Sequence, residues 1–204
     1  DSSTLILTGY NTKSFPSTIY GSQPLNLYNV ENGNLYNCSD TGFTNWDIRT
    51  KLSIHKLTLR DKQFRLMKNS IGNNVKVSID SLMVTGDCTK ELDTIYNLKI
   101  HDIVGSGTTS LILNADAADS ITNILFGGLR FTLNGEEAGL HRVILNSDGF
   151  LNGNNSFDSL ILGPDHMFTL GSGNTQTIVG NLTANGTCTG YIMVRAPNLA
   201  ILPD

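Results

Sequence analysis

The stretch Leu82-Met83-Val84-Thr85-Gly86-Asp87-Cys88-Thr89 recurs one hundred residues later as Leu182-Thr183-Ala184-Asn185-Gly186-Thr187-Cys188-Thr189. The two segments share Leu, Gly, Cys and Thr in register, and both carry an apolar residue at the third place. Each is a short apolar strand followed by turn-forming residues. A strand-and-turn unit that returns along the chain is typical of repeat architectures, because each unit must pack on its neighbours to bury its apolar side.

A shorter pattern, apolar-x-x-apolar-x-apolar, recurs along the chain from Phe43 to Ala184. Its spacing is uneven, with 13 to 25 residues between the central positions, and turn residues follow most matches. The pattern alone is weak, since a chain with 39% hydrophobic residues produces it often by chance. In the context of the longer repeat it predicts solenoid coils of unequal length. We expect five leucines to share one internal column: Leu57, Leu82, Leu98, Leu129 and Leu160.

Helix signals are nearly absent, because Gly or Asn interrupts almost every window in which a helical stripe could form. We therefore predict an all-β fold, a right-handed parallel β-helix of the pectin-lyase-like type, in which strands of one coil pair with those of the next. The alternative is an antiparallel β-sandwich or jelly roll. We expect an aromatic-rich N-terminal cap over residues 1–50, β-helix coils over 51–195, and a C-terminal linker over 196–204.

Composition narrows the function. The net charge of −4 and the scattered Lys and Arg argue against nucleic-acid binding, which needs a basic patch. No apolar stretch is long enough to span a bilayer as a helix. The three cysteines, Cys38, Cys88 and Cys188, allow at most one internal disulfide, and whether Cys38 pairs with Cys88 is left open. We expect buried, apolar cysteines rather than a functional thiol.

The second copy of the repeat, continued through Gly190-Tyr191-Ile192, resembles segments of large secreted surface proteins of the Bacteroidota. Those proteins include type IX secretion cargo with gliding and attachment functions. The resemblance covers about the last third of the chain. It implies an extracellular or cell-surface location, a structural or adhesive role, and membership of a larger chain, and it brings no catalytic residues with it.

Aromatic residues are concentrated near the start of the chain. Flat rings along a β surface suit stacking on sugars, with Asn and Asp nearby to hydrogen-bond hydroxyl groups. The other interpretation is a cap over the open end of the apolar column. The candidate glycan-binding residues are Tyr20, Tyr28, Tyr36 and Trp46.

The tripeptide Asp-Ser/Thr-Ile/Leu occurs four times and resembles the O-glycosylation motif of Bacteroidota secreted proteins. It would place sugars on Ser81, Thr94, Ser120 and Ser159.

Catalytic and metal patterns are weak, and we assign neither catalytic residues nor metal ligands. The four histidines are isolated in sequence. Asp80, Asp93 and Asp102 could stack across neighbouring coils, but carboxylates in solenoid turns are mostly solvated. The run 146–154 suits calcium only weakly, because the acidic ligand that ends a calcium loop is missing, so no cofactor is predicted.

Two functions remain. The first is a non-enzymatic, secreted or cell-surface β-solenoid module of an adhesin that binds a glycan or a host or self surface component. The second is a polysaccharide lyase or glycoside hydrolase of β-helix type that acts on an acidic glycan.

Overall fold

The computed structural model describes residues 4–6, 17–19, 24–32, 44–48, 50–60, 64–67, 76–92 and 98–196. Within these ranges the chain forms strands and turns and no helix. The strands are β1 Thr4–Ile6, β2 Ser17–Ile19, β3 Leu25–Asn32, β4 Thr44–Ile48, β5 Leu52–Leu59, β6 Phe64–Met67, β7 Val77–Val84, β8 Thr89–Leu92, β9 Leu98–Ser106, β10 Ser110–Asp116, β11 Ser120–Gly127, β12 Arg130–Leu145, β13 Asp148–Leu162, β14 Met167–Leu170, β15 Gln176–Ala184 and β16 Met193–Arg195.

The strands build two stacks, and every pairing between described strands is parallel. One stack runs β1, β3, β5, β7, β9, β11, the second halves of β12 and β13, then β15. The other runs β2, β4, β6, β8, β10, the first halves of β12 and β13, then β14 and β16. The chain alternates between the stacks and advances one strand each time. This is a parallel β-helix, and the antiparallel sandwich or jelly roll is wrong.

The predicted N-terminal cap, coil region and C-terminal linker differ in how much of each is described. Strands β1 to β4, inside residues 1–50, extend the same two stacks as the later coils. Residues 197–204 of the predicted linker lie outside the described part of the chain.

A column of apolar side chains from the first stack fills the interior. Its members are paired one above another from coil to coil and are at most 3% exposed: Val30, Leu57, Leu82, Ile103, Ile124, Val143 and Leu160. Leu182 continues the column in β15. The two copies of the long repeat therefore occupy equivalent places, because Leu82 and Leu182 belong to one column.

Two of the five leucines predicted for this column, Leu98 and Leu129, do not belong to it. Leu98 is buried, but it pairs with Val77 and so belongs to a neighbouring column. Leu129 is 61% exposed in the turn after β11, where its amide donates to the carbonyl of Thr109. The register here is set by Ile124, which stacks on Ile103, so the match centred on Leu129 is a coincidence of composition.

The apolar-x-x-apolar spacing marks a bend inside the strands of this stack. Strict alternation would send every second residue inward, but in each coil two successive residues lie between buried positions. In β11 these are Thr122 and Asn123, flanked by buried Ile121 and Ile124. The chain bends at this pair and both side chains reach the outside. The pair forms an outer corner that repeats along the solenoid.

One column contains a glycine because its neighbour is an aromatic ring. Gly105 pairs with Val84 on one side and Phe126 on the other. A Cβ atom at Gly105 would lie 2.1 Å from Cδ2 of the fully buried Phe126. The ring occupies the space that a side chain at 105 would need.

We therefore expect Gly105→Ala to lower the free energy of unfolding by about 1–3 kcal/mol, because the added methyl group overpacks the core. Gly139→Ala is the matched control, since a Cβ atom there meets nothing within 4 Å, and it should stay within about 0.5 kcal/mol of wild type. Urea denaturation followed by circular dichroism measures both. Equal stability of the two variants would contradict the packing argument.

Asp119 is a buried carboxyl group immediately before β11. Its Oδ1 accepts the amide of Leu98 at 2.8 Å and its Oδ2 accepts the amide of Asp116 at 2.9 Å. Burial disfavours the charged form more strongly than these two bonds favour it, and raises the pKa of Asp119 to about 6. The folded chain therefore holds this proton more tightly than the unfolded chain.

This linkage has a definite sign. The stabilising contribution of the protonated carboxyl is complete below about pH 4 and is lost as pH rises through about 6. Between pH 4 and pH 7.5, the free energy of unfolding of wild type should fall by on the order of 2–3 kcal/mol relative to that of Asp119→Asn, because the asparagine side chain cannot ionise. Unfolding curves of both proteins across this range measure the difference. A difference that does not change with pH would refute the assignment.

The described cysteines differ in state. Cys88 is buried and disulfide-bonded, whereas Cys188 is free and exposed. The expectation of buried cysteines therefore holds for Cys88 and is wrong for Cys188. Cys38 lies outside the described residues.

Candidate functional site: a polar corner along the solenoid

The outer corner of the first stack carries a ladder of polar side chains. Each of these side chains comes directly after an inward-facing apolar residue. Those apolar residues form a column in which each member pairs with the one in the next coil. We call the set the corner ladder, and its members are Tyr28, His55, Asp80, His101, Thr122, His141 and Asp158. Three of the four histidines of the chain therefore lie on one edge of the molecule.

Two histidines of the ladder pair with the aspartate of the next coil. His55 Nδ1 lies 2.9 Å from Asp80 Oδ2, and His141 Nδ1 lies 2.6 Å from Asp158 Oδ2. All four side chains are more than half exposed. In the neutral tautomer that donates its Nδ1 proton to the carboxylate, the Nε2 atom of the ring is the acceptor.

The middle of the corner holds a third histidine and carboxylate within one coil. His101 Nδ1 lies 3.0 Å from Asp102 Oδ2, while Asn123 Nδ2 donates to Asp102 Oδ1 at 2.8 Å. The hydrogen bond from Asn123, followed by that from His101, lowers the pKa of Asp102. The carboxylate at this level of the corner therefore loses its proton at a lower pH than an unperturbed aspartate does.

At the N-terminal part of the ladder, an aromatic platform lies beside a pocket. Tyr28 is 49% exposed and stacks on His55 with ring centroids 4.6 Å apart and planes 25° from parallel. The residues that follow them, Asn29 and Lys56, line a pocket of about 170 Å³. The pocket also contains Glu31 and Arg60, whose charged groups are joined by a 2.6 Å ion pair, and is completed by Val30, Thr58 and Met83.

A second polar ladder lies on the other stack. Asn152 Nδ2 donates to Asn134 Oδ1 at 2.9 Å, and Asn134 Nδ2 donates to Asn114 Oδ1 at 2.8 Å. These amides border a groove of about 330 Å³ that also includes Glu136. Since the amides already satisfy one another, this ladder chiefly ties neighbouring coils together.

The predicted glycan-binding residues are not brought together as a set. Trp46 is buried at 2% exposure and packs edge-on against Phe64, with ring centroids 5.0 Å apart. Its ring is therefore part of the core and is not available for stacking on a ligand. Tyr28 is on the surface, and Tyr20 and Tyr36 lie outside the described residues.

The predicted modification sites fall at different places in the coil. Ser81 and Ser159 are corner residues and partly exposed, while Ser120 is exposed at the start of β11. Thr94 lies outside the described residues, as does Asp93 of the carboxylate stack. Of that stack, Asp80 and Asp102 lie on adjacent coils, because Ser81 pairs with Asp102.

Sequence reasoning treated the histidines as isolated and so missed the corner ladder. The sequence signal for the corner ladder lies in the two positions marked x between the first two apolar residues of the apolar-x-x-apolar pattern. Those places hold His-Lys at 55–56, Asp-Ser at 80–81, His-Arg at 141–142 and Asp-Ser at 158–159. Alignment by these pairs would have placed histidine beside aspartate on neighbouring coils.

Within the described ranges, no three His, Cys, Asp or Glu side chains are grouped so that they could hold a metal ion. None of the described residues belongs to a helix with the length and hydrophobicity that crossing a membrane requires.

Compared with known protein families, with curated proteins and with solved structures, the chain gives no significant match. Its function is therefore inferred from the geometry and chemistry of the molecule itself.

Proposed function

We propose that the protein is a non-enzymatic, secreted or cell-surface β-solenoid module of adhesin type that binds a glycan along its corner ladder. The observation that carries this proposal is the Tyr28–His55 platform beside the pocket of Asn29, Glu31, Lys56 and Arg60. An exposed ring next to convergent polar groups is the usual composition of a sugar-binding site.

The platform and the pocket have complementary tasks. A sugar ring presents an apolar face that packs on the tyrosine, and hydroxyl groups that exchange hydrogen bonds with amide, ammonium and carboxylate groups. The ladder continues past the platform through Asp80, His101 and Asp102, all half exposed or nearly so. An extended saccharide running along the solenoid axis would therefore meet further partners on successive coils.

The disulfide at Cys88 supports an extracellular location, because such bonds persist in oxidising compartments. A cell-surface protein of the Bacteroidota, exported as type IX cargo and part of a larger chain, remains our proposal for the source. O-glycosylation at Ser81, Thr94, Ser120 and Ser159 belongs to the same proposal, and among the described sites the exposure of Ser120 supports it best. The partner would be a host or self surface glycan.

Truncation of the platform should separate binding from folding. The wild-type protein should bind at least one member of a panel of immobilised pectins and glycosaminoglycans, and Tyr28→Ala should weaken that binding tenfold or more. Calorimetry with soluble oligosaccharides cut from that polysaccharide measures the effect. The control is Leu129→Ala, which truncates an exposed apolar side chain in the turn after β11, away from the platform. Absence of binding to the whole panel would contradict a glycan-binding function.

A lyase or hydrolase acting on an acidic glycan is the second candidate, and the His141–Asp158 pair favours it. The carboxylate orients the imidazole through Nδ1 and leaves Nε2 to take or give a proton. The neighbouring residue Arg142 supplies a cation for an acidic sugar.

Under this second candidate, incubation with pectins or glycosaminoglycans should release unsaturated or reducing sugars. His141→Ala should then slow turnover by about a hundredfold or more, the range lost with a general acid or base. His166→Ala is the control, because His166 also lies near a carboxylate, Asp148 at 3.7 Å, but on the other stack. Product formation that His141→Ala abolishes would replace the non-enzymatic proposal, and absence of product would exclude the second candidate.

A further inference from the structure

A line of apolar side chains runs along the outside of the first stack, beside the corner ladder. Its members belong to five successive coils, and each pairs with the next: Met83, Val104, Leu125, Ile144 and Ile161. Val104 is 38% exposed and Leu125 is 43% exposed, and the other three are partly exposed. We call this set the apolar stripe. Since coils are about 4.8 Å apart, it is about 19 Å long.

The other outward positions on these five coils are polar or glycine. The position before the bend holds Ser78, Lys99, Ser120, Gly139 and Ser156. The two corner positions hold the pairs from Asp80–Ser81 to Asp158–Ser159. Single exposed apolar residues are normal on a protein surface, but a continuous column of five between polar columns marks a site of association.

The side of the stripe away from the corner is bordered by short side chains. Two residues after each member of the stripe the chain has Thr85, Ser106, Gly127, Asn146 and Gly163. None of these is long enough to cover the apolar groups beside it. The stripe is therefore accessible to a flat partner such as a second β-sheet, which packs face to face at about 10 Å.

Opposite charges lie symmetrically on the corner side of the stripe. Asp102, Asn123 and Arg142 are paired on three successive coils, each two residues before a member of the stripe. The carboxylate and the guanidinium are thus one coil to either side of the coil that contains Leu125. Arg142 is exposed and forms no ion pair with another residue of the described ranges. Its five N–H donors match a carboxylate in geometry and charge.

A second copy of the chain fits this charge pattern when it is turned by 180° about an axis along the strand of Leu125. The rotation reverses the order of the coils. Asp102 of each copy then lies opposite Arg142 of the other, and this contact occurs twice. A two-fold axis along the solenoid would instead place each coil against itself, with Asp102 opposite Ser106.

The apolar residues also match under this rotation. Leu125 faces its own counterpart, Val104 faces Ile144, and Met83 faces Ile161. Each level of the contact therefore pairs two aliphatic side chains of similar size, and no level pairs an apolar residue with a charged one.

We propose that the apolar stripe is the interface of a side-by-side dimer, in which two copies of this chain pack antiparallel about a two-fold axis at the level of Leu125. The contact is isologous and closes on itself. The face is about 19 Å by about 16 Å, or about 300 Å², against roughly 800 Å² per partner in a standard interface. We therefore expect a weak dimer, with a dissociation constant on the order of 100 µM.

The dimer is a separate proposal from glycan binding. The interface borders the pocket beside Tyr28 at Met83, but the contact between copies needs no ligand. Absence of a dimer would leave the glycan-binding proposal standing, and absence of glycan binding would leave the dimer standing.

The first test is the mass of the 204-residue chain by sedimentation equilibrium, at concentrations on either side of the expected dissociation constant. Leu125→Lys should weaken dimerisation at least tenfold, because the two-fold axis brings the two added charges together. Leu129→Lys is the matched control, since Leu129 is an exposed leucine in the turn after β11 and outside the stripe, and it should dimerise like wild type. Wild type that stays monomeric overturns the proposal, as does equal dimerisation of the two variants.

The second test examines the antiparallel geometry by exchanging charges. Asp102→Arg places arginine opposite arginine in its own dimer, and Arg142→Asp places aspartate opposite aspartate, so each variant alone should dimerise about tenfold more weakly than wild type. An equimolar mixture should form a heterodimer about as tight as the wild-type dimer, because every arginine then lies opposite an aspartate. Circular dichroism checks that both variants are folded. A mixture of folded variants that associates no better than either alone refutes this geometry.

Discussion

The parallel register between successive coils is the constraint on which the structure depends. Hydrogen bonds between neighbouring strands hold each coil about 4.8 Å from the next. That spacing stacks each residue on the residue in the same place of the coil below. Leucine, isoleucine and valine repeat at these places inside the solenoid, and each coil covers the apolar surface of its neighbour. No single coil could bury its own side chains, so stability comes from the array.

The same register organises the outside of the molecule. A residue that is unremarkable in sequence acquires neighbours 17 to 29 residues away, as shown by the Leu140–Phe157 and Ser17–Trp46 pairs. His141 reaches Asp158 in this way, and Asn123 reaches Asp102. The corner ladder is therefore a consequence of the bend in the strands, which turns two successive side chains outward in every coil. A surface of this kind suits an extended ligand better than a compact one, because its partners are distributed along the axis.

The class of fold follows from local patterns along the chain. The alternation of apolar residues with turn formers, and the long repeat at 82–89 and 182–189, predict parallel coils rather than hairpins. Leu57, Leu82 and Leu160 were correctly predicted to share one internal column. The same aromatic-rich region predicted both Tyr28 and Trp46 as glycan-binding residues. Its composition does not distinguish an exposed ring from a buried one.

Which match sets the register, and which residues meet, depends on contacts between coils. Leu129 satisfies the pattern and is exposed, because the coil is fixed by Ile124 against Ile103 and the loops between coils differ in length. The burial of Trp46 and the pairing of His55 with Asp80 depend on that same choice of register. A one-residue shift in a strand exchanges its inner and outer faces, and local sequence does not carry the contacts with the adjacent coil that exclude the shift.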